Sequence, residues 1–219
     1  MRWLTFALAL PAIVQAHDPI STKLTWAQEI SRIVYKRCAG CHRPEGKSPM
    51  SLLTYEEARP WAKAIKEQVL NRQMPPWGAV KGFGDFSNDA SLTQDEINRL
   101  AEWVEGGAPE GETIYLPPAP KPVPALALPR GVRSRTLTGP VTLLGIRPTA
   151  STESIQVVAH FPDGSTIPLL WLRDYKAAWN RTFVYREPVM LPRGVRIEAN
   201  PSVRFEFLVQ SPKSRSPAH

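Results

Sequence analysis

Apolar side chains recur at helical spacing in three stretches of the first half of the chain, each introduced by a threonine with an amide or acid three residues on. Thr25 and Gln28 precede Trp26, Ile30, Ile33 and Val34, which predicts an amphipathic helix over 26–37 ending at Cys38. Thr54 and Glu57 lead into Ala58, Trp61, Ala62, Ile65 and Val69, with Pro60 predicting a kink or a late start. Thr93 and Glu96 open a third helix whose stripe is Ile97, Leu100, Ala101 and Val104, stopped by Gly106-Gly107. Beyond residue 140 the period shortens. Runs at 141–146, 154–161, 166–172, 182–185, 195–199 and 203–209 alternate or are β-branched, and turn signals such as Pro162-Asp163-Gly164 and Pro192-Arg193-Gly194 separate them. The pattern predicts an all-α domain followed by a small all-β sandwich.

Composition divides the two. Residues 116–130 hold Pro117, Pro118, Pro120, Pro122 and Pro124, too few backbone donors for helix or sheet, and read as an extended linker. The helical domain is therefore placed at 17–115, the sandwich at 131–211, and a polar, disordered tail at 212–219. At the other end, Met1-Arg2 and the apolar run Trp3 to Val14 finish in Val14-Gln15-Ala16, the pattern of a signal peptide cleaved after Ala16. The run is shorter than the roughly 20 residues that span a bilayer. The expected mature protein has no membrane span and is periplasmic or secreted. The formal net charge is +7, but the cations are scattered and belong to no nucleic-acid motif. This reads as a solvated surface preferring acidic partners, and nucleic acid is not expected as a partner.

The chain's two cysteines both lie in Cys38-Ala39-Gly40-Cys41-His42. Two thiols one helical turn apart suit addition to the two vinyl groups of a porphyrin edge, with the adjacent imidazole carried under the ring to bond iron. A redox disulfide is the competing reading, but the motif follows an amphipathic helix and not a βαβ unit. Structural zinc would need about four ligands, and no second cluster supplies them. One covalent haem c, with His42 as an iron ligand, is the expectation. For the opposite face the mature chain offers Met50, Met74 and Met190. Met74 is favoured because it ends the second helix ahead of Pro75-Pro76-Trp77, where two prolines would hold the loop stiff and extended with the sulfur inward. Met50 is awkwardly close to His42, Met190 lies in the other domain and reads as packing, and His160 reads as an ordinary strand residue.

Residues 26–112 resemble the class I cytochrome c domain of an exported bacterial family. The likeness is carried by the Cys38–His42 motif, Pro49-Met50-Ser51-Leu52-Leu53-Thr54-Tyr55, Met74-Pro75-Pro76-Trp77 and the segment Trp103 to Gly111. It implies His/Met ligation, with Met74 as the sixth ligand. In that family the haem domain often precedes a domain similar to the copper type II, ascorbate-dependent monooxygenases, and residues 139–208 resemble its C-terminal part. The matching stretches are Pro140 to Pro148, Phe161 to Gly164, Asp174-Tyr175, Trp179 to Phe183 and Glu187 to Gly194. Where metal-competent relatives place His-Met-His after the proline equivalent to Pro148, this chain has Thr149-Ala150-Ser151. His160 and the terminal His219 are the only histidines left in the domain, so no copper is expected. Trp171, Tyr175, Trp179 and Phe183 are the expected sandwich core.

The functional expectation is an electron carrier in which iron alternates between ferric and ferrous states while a copper-less sandwich docks a periplasmic redox donor or acceptor. Two alternatives stay open. One is a haem enzyme or gas sensor with a labile sixth ligand. The other is a non-redox assembly subunit in which the haem is a structural staple.

Overall fold

The first helix begins where the caps predict, with one adjustment. In this computed structural model, which describes residues 22–44, 46–122, 131–132, 139–199 and 204–210, the Thr25 hydroxyl accepts from the Gln28 N–H at 3.3 Å. The reciprocal bond to the Thr25 N–H comes from Glu29 and not Gln28, at 2.9 Å. The reason is the opening turn, Trp26–Ile30, which is π-helical. Its wider ring adds a residue and moves the returning side chain one position along. α1 (Ser31–Arg37) continues it and ends with Cys38 as C-cap. The signal peptide expected at 1–16, residues 123–130 of the linker and the tail at 212–219 lie outside the described residues.

Pro60 divides the second helical segment as expected: α2 (Tyr55–Ala58) and α3 (Ala62–Leu70) are joined by a 3-10 turn at Arg59–Trp61. α4 (Gln94–Glu105) carries a reciprocal capping box between Thr93 and Glu96. Its buried face is Ile97, Leu100 and Trp103. Ala101 and Val104 from the expected stripe are half-buried, and Trp103, omitted from it, is fully buried against Trp26 with ring centroids 6.1 Å apart. The chain after α4 then closes on the start of the first helix. The Pro109 and Glu110 carbonyls accept from the otherwise orphaned N–H groups of Trp26 and Ala27 at 3.0 and 2.9 Å. Gly111 (φ +78°) makes this approach possible, since a Cβ there would stand 2.5 Å from the Thr25 hydroxyl oxygen.

The second half is all β. β1 (Gly131–Val132), β7 (Phe205–Gln210), β2 (Val141–Pro148) and β5 (Phe183–Leu191) form one antiparallel sheet in that order, and β4 (Thr166–Tyr175), β3 (Thr152–His160) and β6 (Arg196–Glu198) form the other. Leu143, Ile146 and Phe207 from the first sheet and Val157, Leu170 and Leu172 from the second share one core. Tyr175 and Phe183 are buried in it as expected, whereas Trp171 and Trp179 are half-buried at its border.

That core is not made from the second half alone. Trp77 and Phe86, from the helical half, are each 4% exposed and belong to it. Trp77 meets Phe183 edge-on at 4.7 Å, and Phe86 lies 5.2 Å from Tyr185. The segment 76–88 that carries them runs along two sheet edges. Ala79 bridges Leu172 on β4 and Phe86 bridges Tyr185 on β5. Four backbone bonds fasten it: Val80 N–H to the Trp171 carbonyl and Arg173 N–H to the Gly78 carbonyl, both 2.9 Å, then Ser87 N–H to the Val184 carbonyl at 2.8 Å and Arg186 N–H to the Asp85 carbonyl at 2.9 Å. Gly84 (φ +90°) lies so close to the sheet that a Cβ would stand 2.7 Å from the Leu169 carbonyl oxygen. This segment is called the strap below.

Candidate haem site

The end of α1 winds directly into the cysteine motif. Val34 receives the N–H groups of both Cys38 and Ala39, at 2.8 and 2.9 Å, and the Cys38 carbonyl in turn receives those of Cys41 and His42 at 3.0 and 2.9 Å. The two thiols therefore sit one turn apart, half-buried and unbridged. Burial, then the neighbouring Cys41 and Glu96, push the Cys38 thiol up to about 12 against the opposing pull of Arg37. A group held as a neutral thiol is poorly suited to be the attacking sulfur of a redox pair.

His42 is oriented by its own following loop. Its Nδ1 lies 3.3 Å from the Met50 carbonyl oxygen. A carbonyl only accepts, so Nδ1 is the protonated nitrogen of the neutral ring, and Nε2 keeps the lone pair a metal needs. Burial lowers the His42 pKa, which favours that neutral form. The loop is braced by Glu57, one carboxylate oxygen of which accepts from the Ser51 hydroxyl at 2.6 Å and from the Leu53 and Thr54 N–H groups at 3.0 and 3.1 Å. The Tyr35 hydroxyl donates to the Leu53 carbonyl at 2.9 Å, tying the loop back to α1. Behind the cysteines, the Arg37 guanidinium meets Glu96 at 3.1 Å with both side chains largely buried, so the end of α1 is joined to the start of α4.

Met74 is set by a different element. Its N–H donates to the Gln68 carbonyl of α3 at 3.2 Å, and the Met74–Pro75 peptide is cis. The side chain is 40% exposed and lines a cavity of about 640 Å³. Val69, Leu92 and Ile97 from the helical half and Arg173 and Trp179 of the sandwich are among the residues that line it. Met50, by contrast, is packed partly buried against the helical core. Met190 is 79% exposed on β5, which corrects its reading as a packing residue: alternation along an edge strand turns it outward. His160 pairs with Glu198 of the neighbouring β6 at 3.0 Å, as a strand residue would. The Thr149 hydroxyl is bound to the Arg204 carbonyl, and Ser151 accepts from the Ala177 N–H.

Two reduced thiols one turn apart, next to an imidazole whose Nε2 is left with its lone pair, fit a c-type haem on the chemistry of the donors. The Met50 carbonyl and Glu57 escaped the sequence reading of the site. Met50 acts through its backbone, which no residue type reveals, and Glu57 reads in the sequence only as a helix cap. Its position six residues after Ser51 was the available signal.

Residues 27–107 match the family model for cytochrome c. No curated protein and no solved structure matches the chain. The molecule is thus a helical N-terminal cytochrome c domain, a haem-binding domain of electron-carrier type, followed by two small antiparallel sheets in a sandwich. The match stops short of the sandwich.

Proposed function

We propose that this protein is an exported electron carrier with a single covalent haem c joined to Cys38 and Cys41, ligated by His42 and Met74, and that its copper-less sandwich docks a redox donor or acceptor. The observation that carries the reading is the hydrogen bond between His42 Nδ1 and the Met50 carbonyl, which leaves the Nε2 lone pair available to a metal in a stretch that matches the cytochrome c model. Bound haem c supplies a one-electron ferric/ferrous couple. The chain's own residues hold the rest of the arrangement. Cys38 and Cys41 would hold the porphyrin through its vinyl groups, Met50 and Glu57 keep the imidazole in one orientation, and Val69, Leu92 and Ile97 give the cavity beside Met74 apolar lining. Met74 brings a thioether, a ligand that favours ferrous iron and raises the potential. Export rests on residues 1–16, and among the described residues no helix is long and apolar enough to cross a membrane.

The test is the absorption spectrum of the mature holoprotein in both oxidation states, wild type against Met74→Ala. A low-spin wild type with a weak sulfur-to-iron charge-transfer band that the variant loses is the expected result. A wild type that is already high-spin would replace the carrier with the enzyme or gas-sensor reading.

A further inference from the structure

The strap gives the sandwich a second relationship to the haem domain, because it begins two residues after Met74. Gln73 and Pro76, which flank Met74-Pro75, are both held from the sandwich side. The Arg181 Nε donates to the Pro76 carbonyl at 3.0 Å, and the Lys176 ammonium donates to the Gln73 side-chain oxygen at 2.6 Å. Arg181 is itself anchored, since its N–H donates at 3.1 Å to the hydroxyl of Tyr175, whose ring is buried against Trp179 and Phe183. One residue further on, Trp77 is locked into the sandwich core between Phe86 and Phe183. The chain on both sides of Met74 is thus tied to the sandwich, which is not part of the cytochrome c match ending at Gly107.

We infer that the sandwich is a positioning device for Met74, and that Arg181 is the positioning residue: by holding the Pro76 carbonyl it fixes the loop that presents the thioether and so opposes its displacement. The inference rests on the reading of Met74 as the sixth ligand. It gives the second domain a role inside the molecule, separate from any docking. An interaction in the sandwich adds to the effective strength of a ligand it never touches, because a tethered loop has less freedom to move away.

The experiment uses the ferric holoprotein as wild type, Arg181→Ala, Arg181→Lys, Lys176→Ala and, as a control on the far strand β6, Arg196→Ala. Imidazole is titrated in, and displacement of the thioether is followed at the charge-transfer band. In parallel, hydrogen exchange is measured at the Gln73, Met74 and Trp77 amides. The expected result is that Arg181→Ala binds imidazole about three- to tenfold more tightly, the worth of one hydrogen bond, and exchanges faster at those amides. Arg181→Lys should recover part of both effects, Lys176→Ala should show the same trend more weakly, and Arg196→Ala should behave as wild type. Unchanged imidazole affinity in Arg181→Ala overturns the inference, whatever Lys176→Ala does and even if exchange rises, because the clamp would then be structural only. A wild type without the charge-transfer band defeats Met74 ligation, and the positioning role with it. The exchange data would still report whether the clamp exists, so the two failures can be told apart.

Discussion

Glu57 puts three donors on one carboxylate oxygen, and this makes it the residue through which acid should first loosen the loop behind His42. The Ser51 hydroxyl and the Thr54 and Leu53 N–H groups outweigh the small effect of burial and hold its pKa below the ordinary value of 4.5. The folded carboxyl therefore binds its proton less tightly than the unfolded one. Stabilisation is fully present above 4.5 and is lost as pH falls through the depressed folded value. Glu57→Gln should cost stability at neutral pH, and the difference from wild type in urea unfolding should shrink to nothing in acid; a difference independent of pH would show that the charge is not involved. At this scale the sequence is legible where chemistry depends on residue type. The spacing of Cys38, Cys41 and His42 is a pattern of residue types and so carries an expectation of haem, whereas the Met50 carbonyl could be any residue's carbonyl.

Among the elements, the three helices were readable because period and cap agree: threonine, an acid in the first turn, an apolar stripe. α4 is the clearest example, and its cap also carries the Glu96 that binds Arg37. Thr93→Ala should lower stability by about 1 kcal/mol, measured by chemical denaturation, because the Glu96 N–H loses its acceptor. Gly111→Ala should cost more than about 1 kcal/mol, since its positive φ and the adjacent Thr25 both exclude a side chain. The π turn was not legible, because an extra residue within one turn leaves the apolar spacing almost unchanged. Nor was the strap. Residues 78–88 have no period of their own, and Gly78, Gly82 and Gly84 read only as punctuation. Their conformation is dictated by the edges of β4 and β5, about a hundred residues away in the sequence, and local pattern carries no information at that range.

For the molecule as a whole, the consequence is shared stability. Helix and strand fall in separate halves of the chain, but Trp77 and Phe86 cross that division and pack into the sandwich core, so the two halves are expected to unfold together. Trp77→Ala removes a ring that is 4% exposed and should cost about 3–5 kcal/mol. Denaturation followed by haem absorbance and by the fluorescence of the sandwich should give one coincident transition in wild type. In the variant, the sandwich should melt first. Two separate transitions in wild type would mean that the halves are independent.

The strap also shields the molecule from its own kind. Among the described residues β4 and β5 each pair with a named strand on one side only, and backbone N–H and C=O groups on their other side are met by Gly78, Val80, Asp85 and Ser87. If that cover is removed, each protomer presents two bare strand edges, one from each sheet, to any other strand in reach. A molecule whose strap had been clipped between Lys81 and Gly84 would therefore be expected to form aggregates built on intermolecular β pairing, even while its helical half kept its fold.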